Sequence, residues 1–193
     1  MKKANEKVKK PEVPQAETTT RGEIYDWMQS LVFALIISII VFIFIFRIVD
    51  VSGDSMNPTL INGDKLVVSD VFYKPKQGDI VIFRKDEYKA EALVKRVIAT
   101  EGQTIEIDFD RGRVYVDGEL LDEPYIAEPT RNQLDFQGPQ KVPEGCVFVM
   151  GDNRNASSDS RRAEIGMVDE RLIVGKVLLR IFPLDSIGVP DGE

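Results

Sequence analysis

The sequence LVFALIISIIVFIFIF, residues 31–46, is the one long apolar run in this chain, and Ser38 is its only polar residue. With its flanks the run reaches the ~20 residues that a helix needs to cross the hydrocarbon layer of a membrane. Trp27 precedes it at a position where aromatic side chains often meet the lipid headgroups. The sequence therefore predicts a transmembrane helix over residues 27–49, followed by a soluble domain.

A cleavable signal peptide is the alternative interpretation of this run, because Val51-Ser52-Gly53 would be an acceptable cleavage sequence of small residues. A signal peptide, however, has a shorter leader and an apolar core of only ~7–15 residues. The length of the run favours a retained membrane anchor.

The charges on either side of the run predict its orientation. Residues 1–26 carry six Lys and Arg, whereas residues 50–65 carry only Lys65. Basic residues concentrate on the cytoplasmic side of membrane helices, and a segment as polar as 1–26 cannot bury enough apolar surface to fold. We expect a disordered cytoplasmic tail over 1–26, a single crossing of the cell membrane, and an extracytoplasmic domain over 50–193.

Short runs rich in Val and Ile, separated by turn residues, continue from residue 50 to near the end of the chain. Such runs are typical of strands, and the sequences at 110–112 and 117–118 are typical of tight hairpin turns. We expect a mainly β domain in which residues 122–143 form an extended loop. The predicted strands are KLVVSD, GDIVIFR, ALVKRVIAT, QTIEIDFD, RVYVDGELLD, GCVFVMGD and LIVGKVLLRIFP.

Composition excludes several classes of function. Residues 50–193 carry eighteen Lys and Arg against twenty-seven Asp and Glu, so they lack the clustered positive charge of a nucleic-acid-binding surface. The chain has no histidine and one cysteine, Cys146, which excludes the common zinc patterns, Cys-His nucleophile pairs and an intramolecular disulfide. A serine enzyme here would need a base other than histidine.

Ser55 lies in VSGDSMNPTL, residues 51–60, between Gly53 and Pro58. These residue types favour a sharp turn that exposes the serine hydroxyl, and an ordinary turn without chemistry is the simplest interpretation. A serine hydroxyl becomes an effective nucleophile when a base takes its proton. Without histidine, that base would be a carboxylate or a lysine with a lowered pKa.

Lys95 is the best lysine candidate because it lies within the apolar sequence EALVKRVIA. Burial disfavours the ammonium form and can lower the pKa of a lysine from ~10.4 towards ~7–8. Alternation along a strand puts Lys95 on one face and Arg96 on the other, so one cation faces inward unless this is an edge strand. An edge strand with both side chains reaching solvent is the alternative.

The sequence MGDNRNASSDSRR, residues 150–162, places acidic, basic and hydroxyl side chains together directly after a hydrophobic strand. This density predicts an ordered polar network. A solvated loop is the main alternative. A chance glycosylation sequon at 155–157 and a calcium loop are weaker ones, because the alternating acidic ligands of an EF-hand are absent.

Four stretches after the apolar run, taken together, closely resemble the type I bacterial signal peptidases. They are SGDSMNPTL, YKPKQGDIVIF, LVKRVIATEGQTIEI and MGDNRNASSDSR, and a single helix before a compact domain is similar to the Gram-positive form. The resemblance implies two antiparallel β-sheets, a hydrophobic surface on the lipid bilayer, and a Ser-Lys dyad that cleaves signal peptides from exported preproteins near the translocon. It implies no metal or cofactor.

By this resemblance Ser55 is the nucleophile and Lys95 the general base, and Ser157 corresponds to a serine whose hydroxyl helps to hold the lysine. The further supporting residues that it implies are Asp159, Arg161, Asp152 and Arg154. Gly53 departs from the best-described Gram-negative pattern, in which a serine at that place offers its hydroxyl to the oxyanion. The Ser55 backbone N–H is then the expected donor, with water, another backbone N–H or Ser52 as the second.

An extended peptide beside strands at 49–52 and 92–94 would present its −1 and −3 side chains to one face, because strand side chains alternate. We expect small pockets there that select Ala-x-Ala. The expected pocket residues are Val51, Leu60 and Val94. Ser55 follows Arg47 by eight residues, at most about 29 Å of extended chain, which would keep the site near the membrane.

Two further hypotheses are open at this point. A self-cleaving repressor-type protease also uses a Ser-Lys pair on a β core, but it carries a DNA-binding head that residues 1–27 cannot form. An anchored binding domain with an inert turn at Ser55 would keep its function in cells after Ser55→Ala or Lys95→Ala.

Overall fold

The computed structural model describes residues 20–85 and 88–190. The chain divides into two compact units, one ending at Phe42 and the other beginning at Ile43. The first unit contains most of one long helix, and the described residues of the second form a β domain.

Helix α1 spans Thr20–Ile45, and from Leu31 onward Ser38 is its only polar residue. The most apolar 18-residue window within Gly22–Ile45 has a mean hydropathy of 2.8, and none of that window is buried. A helix of these 24 residues is long enough to cross a membrane, because each residue adds ~1.5 Å. The helix therefore fits a membrane anchor.

The helix differs from its predicted limits at both ends. It begins at Thr20, inside the expected tail, while the rest of that tail, residues 1–19, lies outside the described residues. It ends at Ile45 rather than at residue 49, because Arg47–Asp50 form the first strand of the β domain. The backbone groups of this strand are satisfied by a neighbouring strand instead of by a continued helix.

Two antiparallel sheets make up the β domain, as the sequence and its resemblance predict. The strands are β1 Arg47–Asp50, β2 Lys65–Ser69, β3 Ile80–Lys85, β4 Lys89–Ala99, β5 Thr104–Asp108, β6 Arg113–Val116, β7 Glu119–Leu120, β8 Gln140–Lys141, β9 Cys146–Met150, β10 Val168–Asp169 and β11 Ile173–Phe182. The larger sheet has the order β1-β2-β11-β3-β4-β9-β10, and the smaller has the order β7-β6-β5-β8. The predicted fold class is confirmed.

The two predicted hairpins connect the strands of the smaller sheet. Asp117 and Gly118, with φ of 52° and 81°, form the turn between β6 and β7. Gly112 lies between β5 and β6 with φ of 69°, and a Cβ there would lie 2.5 Å from the Cβ of Pro129. This turn therefore needs glycine both for its conformation and for the close approach of residue 129. Residues 122–143 contain only β8 as a regular element, as expected for an extended loop.

Strand β4 pairs differently along its two edges. It pairs with β3 from Lys89 to Arg96, but with β9 only from Arg96 to Ala99. The N-terminal half of β4 therefore has no partner strand on one side within the described residues. Both Lys95 and Arg96 are nevertheless buried, at 2% and 3% exposure, so the edge-strand alternative with both cations in solvent is wrong.

Buried apolar residues form three groups around this strand. One fills the space between the two sheets and includes Ile98, Ile105 and Phe148. A second lies against β3, β4 and β9 and includes Ile165. The third joins β1, β2, β3 and β11 to the turn at 51–60. The turn that carries Ser55 is thus part of the hydrophobic core rather than a solvated loop.

Candidate active site

The turn that carries Ser55 leaves the larger sheet at the end of β1 and returns to it at β2. At its base, the N–H of Val51 donates to the Asp64 carbonyl at 2.8 Å, and the N–H of Gly63 donates to the Val51 carbonyl at 2.9 Å. The buried side chains of the turn are Val51, Met56 and Leu60. Ser55 is only partly buried. The apolar side chains fix the turn and leave the Ser55 hydroxyl accessible.

Gly53 shapes the first half of this turn. Its φ is 92°, a left-handed conformation that glycine adopts without strain, and its N–H donates to Asn62 Oδ1 at 3.0 Å. The Gly53 N–H is therefore already engaged. No acceptor contacts the Ser55 N–H among the described residues. Ser52, the other expected donor, is exposed near the start of the turn.

Lys95 approaches Ser55 from β4. Its Nζ lies 2.8 Å from Ser55 Oγ and also donates to the carbonyl of Val94 at 2.8 Å. The strand is held in register by β3, where Val81 lies opposite Lys95. The two residues that the sequence resemblance pairs across forty positions are thus in hydrogen-bond contact, and the amine is buried beside an accessible hydroxyl.

The polar sequence after β9 forms an ordered, buried network, as its composition predicts. Asp152 is fully buried and accepts two bonds from Arg96, at 2.9 Å from Nε and 2.7 Å from Nη2. Asp159 accepts two bonds from Arg161, both of 2.9 Å, and its Oδ2 accepts the Gly151 N–H at 3.1 Å. The solvated-loop alternative is therefore wrong for this turn.

Ser157 is buried close to the dyad but does not make the expected bond. Its Oγ has no hydrogen-bond partner within the described part of the chain. A Cβ added to Gly151 would lie 2.3 Å from Ser157 Oγ and 2.3 Å from the Ser55 carbonyl oxygen. Ser157 therefore lies beside the turn that carries Ser55. A role for the Ser157 hydroxyl in holding Lys95 stays a prediction.

Backbone contacts hold the two turns together. The Asn153 N–H donates to the Ser55 carbonyl at 3.0 Å, and Asn153 Nδ2 donates to the Asp54 carbonyl at 3.0 Å. A side chain on Gly151 would collide with Ser55 and Ser157, so only glycine permits this approach. Gly151 and Asn153 both belong to the sequence MGDNRNASSDSRR, but the sequence pattern does not indicate which residues they contact.

A further acidic residue joins the network from the extended loop. Glu123 lies 2.5 Å from Arg154 Nη2, and the Tyr125 ring lies 3.9 Å below the Arg96 guanidinium. Burial raises the pKa of Glu123, although the nearby Arg154 opposes this shift. Burial also raises the pKa of Tyr125, which keeps its phenol neutral. The sequence analysis missed both residues, since nothing in DEPYIAEP distinguishes them from loop residues.

A groove of about 520 Å³ runs from the dyad along the unpaired edge of β4. Its walls are residues 49–53 with Ser55 and Met56 on one side, and residues 91–95 with Arg84 on the other. The expected pocket residues Val51 and Val94 line it. Leu60 does not, because it is fully buried in the core group behind the turn. Met56 and Ala92 are lining residues that the sequence analysis did not name.

The described residues contain no group of three or more His, Cys, Asp or Glu side chains that could hold a metal ion. The acidic side chains near the dyad are instead paired with arginines, namely Asp152 with Arg96 and Asp159 with Arg161.

Comparisons with known proteins identify the family of this chain. The family model described as "Signal peptidase, peptidase S26" matches residues 24–182. A signal peptidase I of Bacillus licheniformis is 35% identical over 92% of this chain and 98% of its own length. A probable signal peptidase I-1 of Synechocystis is 40% identical over 82% of both chains. A crystal structure of a signal peptidase I from Enterococcus faecalis matches with 30% identity and a TM-score of 0.43, covering 54% of this chain and 97% of that one.

The family match covers most of the apolar helix, the Ser55 turn and the network after β9 in one alignment. The comparisons leave the repressor-type and non-catalytic hypotheses without support. The chain therefore belongs to the signal peptidase family, peptidase S26, whose type I enzymes remove signal peptides, and it is itself an enzyme of that type.

Proposed function

We propose that this enzyme removes signal peptides by a serine-lysine mechanism, with Ser55 as nucleophile and Lys95 as general base. The observation that carries the proposal is the 2.8 Å contact between Lys95 Nζ and Ser55 Oγ. Lys95 is 2% exposed, and burial favours the neutral amine that a base requires. No histidine is present in the chain to act in its place.

In this mechanism the Ser55 proton passes to Lys95 as Oγ forms a bond to the scissile carbonyl carbon. The lysine ammonium then protonates the departing amine nitrogen as the C–N bond breaks, leaving the signal peptide as an ester on Ser55. Lys95 next takes a proton from water that attacks this ester and returns it to Ser55 Oγ. No cofactor is required, because every proton moves between Ser55, Lys95, water and substrate.

The Ser55 backbone N–H is the proposed donor to the oxyanion. It has no acceptor among the described residues, and donors aimed at the developing charge are worth ~10²–10³ in rate. Gly53 cannot supply a side-chain hydroxyl, and its N–H is engaged with Asn62. We therefore propose Ser52, which lines the groove, or a water molecule as the second donor.

The groove supports selection of small side chains at −1 and −3. An extended peptide can pair with the free edge of β4, and alternate side chains would then face Val51 and Val94. Asp152, Ser157, Asp159 and Arg161 keep supporting roles in this proposal, since all four are buried around the turns that meet at Ser55.

The proposed location is the cell membrane, with the N-terminus cytoplasmic and the catalytic domain outside. The positive charge before helix α1 supports this orientation. Exposed apolar side chains of the β domain, such as Ile48 and Phe72, support contact with the bilayer. The preproteins would reach the enzyme close to the translocon, because signal peptides emerge there.

The test is cleavage of a purified preprotein by the full chain in detergent. Wild type should release the signal peptide, while Ser55→Ala should reduce kcat to the uncatalysed level with an unchanged thermal unfolding midpoint. Substituting Asp at −1 or −3 of the preprotein should abolish cleavage. Persistent cleavage by Ser55→Ala would refute the mechanism, whereas cleavage insensitive to −1 and −3 would refute only the specificity.

A further inference from the structure

The extended loop at 122–143 is bound along much of its first half to the polar segment 150–162. Asn155 Oδ1 accepts the backbone N–H groups of Arg131 and Asn132 at 2.9 and 3.1 Å. Asn155 Nδ2 donates to Glu128 Oε2 at 3.1 Å. Arg161 Nη1 donates to the Asn132 carbonyl at 2.7 Å. The loop is therefore a structured layer over the turn that contacts Ser55.

A buried ion pair between Glu123 and Arg154 also links the two segments. Their side chains are 7% and 0% exposed, and the carboxylate oxygen lies 2.5 Å from Arg154 Nη2. This contact is an ion pair rather than a well-aligned hydrogen bond, and Nη2 has no hydrogen-bond acceptor in the described residues. Glu123 is thus the residue that compensates the charge at this end of the guanidinium.

The other nitrogens of Arg154 reach in two directions. Nη1 donates to Thr130 Oγ1 of the loop at 3.0 Å, and Nε donates to the Gly151 carbonyl at 3.1 Å. Gly151 is the residue whose Cα hydrogen faces the Ser55 carbonyl and Ser157 Oγ. The arginine therefore links the loop directly to the residue packed against the nucleophile.

We propose that Glu123 is a positioning residue for the reaction. Its carboxylate orients Arg154, Arg154 fixes the Gly151 carbonyl, and Gly151 with Asn153 holds the Ser55 backbone in place. Glu123 does not contact substrate or the reacting atoms. The inference rests on the proposed role of Ser55 and adds the loop at 122–143 to the parts of the enzyme that set its geometry.

The environment of Glu123 supports a role in geometry rather than in stability. Burial raises the pKa of its carboxyl despite Arg154, so the ionised form is less favourable here than in water. A buried ion pair of this kind does not by itself stabilise a fold, and an apolar pair could fill the same space. What an apolar pair would lack is the directed bond from Arg154 to Gly151.

The test compares Glu123→Gln with Glu119→Gln, a matched change at an exposed position of β7. The full chain in detergent is assayed for preprotein cleavage. It is also assayed for acylation of Ser55 by a small activated ester, which mass spectrometry detects as added mass on the peptide that contains Ser55. Glu123→Gln should lower kcat and the acylation rate together by ~10²-fold, since small misplacements of a reacting group have effects of this size. KM should change less than about twofold, because Glu123 does not line the groove. Glu119→Gln should match wild type.

Several outcomes overturn the inference. Wild-type kcat and acylation in Glu123→Gln would do so, as would losses that merely follow the fraction of unfolded protein in a thermal scan. A rise in KM alone would assign Glu123 to substrate binding instead. If wild type acylates but does not cleave preproteins, the proposed function fails, and the acylation comparison still decides the role of Glu123. If Ser55 of wild type is not acylated, both proposals fall.

Discussion

Lys95 and Arg96 are neighbours in β4, and both are buried, yet their surroundings are opposite in kind. Arg96 is held by two bonds to Asp152, one to the Gly78 carbonyl and the ring of Tyr125. Lys95 instead meets a serine hydroxyl at the head of a groove. Arginine stays charged and matches a carboxylate in geometry, whereas a buried lysine can lose its proton. Of the two adjacent cations, one suits a structural pair and the other suits proton transfer.

The largest expected effect is a loss of activity at Lys95 that should not occur to the same extent at Arg96. Lys95→Met keeps the length of the side chain and removes the amine, so kcat/KM for a preprotein should fall by at least ~10⁴-fold. The thermal unfolding midpoint should stay the same or rise, because methionine is buried more easily than an amine. Cleavage that clearly exceeds that of Ser55→Ala would mean that another group serves as base.

Arg96→Met should lower stability much more than activity, the reverse of Lys95→Met. It leaves the carboxylate of Asp152 buried without its partner, which typically destabilises a protein by ~3–5 kcal/mol. Urea unfolding at neutral pH measures this change, and activity per folded molecule should fall far less than in Lys95→Met. If stability is unchanged and activity is lost, the division of roles between the two cations is wrong.

A third variant tests the groove on the Lys95 side. Val94→Phe should narrow the groove and lower kcat/KM for an Ala-x-Ala preprotein by ~10–100-fold, the range expected for a misfit in an apolar pocket. The loss should be smaller for Gly at −1 and −3. Val189→Phe, at an exposed position outside the groove, is the control. Equal losses for Ala and Gly substrates would place Val94 outside the specificity pockets.

The smallest expected effect is the pH dependence of stability that comes from Glu123, a member of the buried network that contains Arg96. The pKa of Glu123 is raised from its ordinary value of 4.5, so the protonated carboxyl is favoured in the folded state. Its contribution to the free energy of unfolding is fully present below pH ~4.5 and is lost as the pH rises through the folded pKa. Urea titrations of wild type should show this decline, and Glu123→Gln should lack it. Glu119→Gln should retain it.

Local sequence patterns predicted the elements but not their partners. Val and Ile content located most of the strands, and Asp-Gly located a hairpin, because both depend on neighbouring residues. The strands β1, β8 and β10 lie outside the predicted runs. The apolar pattern placed the end of helix α1 four residues late, since the pairing of Arg47–Asp50 with β2 is a long-range property. Leu60 was expected to line a pocket but is fully buried in the core, a tertiary placement that the local pattern of the turn does not reveal.

The contacts around the dyad needed more than local pattern. Ser55 and Lys95 are forty residues apart, and their pairing was predicted only through resemblance to a family. Glu123 is 31 residues from Arg154, in a loop whose sequence resembles any polar connection. A buried glutamate has no local signature, because what makes it unusual is the tertiary environment around it.

The half-paired state of β4 gives the larger sheet room for one more strand. A preprotein segment added there would be held by its own amide and carbonyl groups, which every polypeptide carries regardless of its sequence. Side-chain selection would then be confined to the few positions that face the groove wall. One such enzyme could therefore process many exported proteins that have no common sequence beyond the last few residues of their leaders.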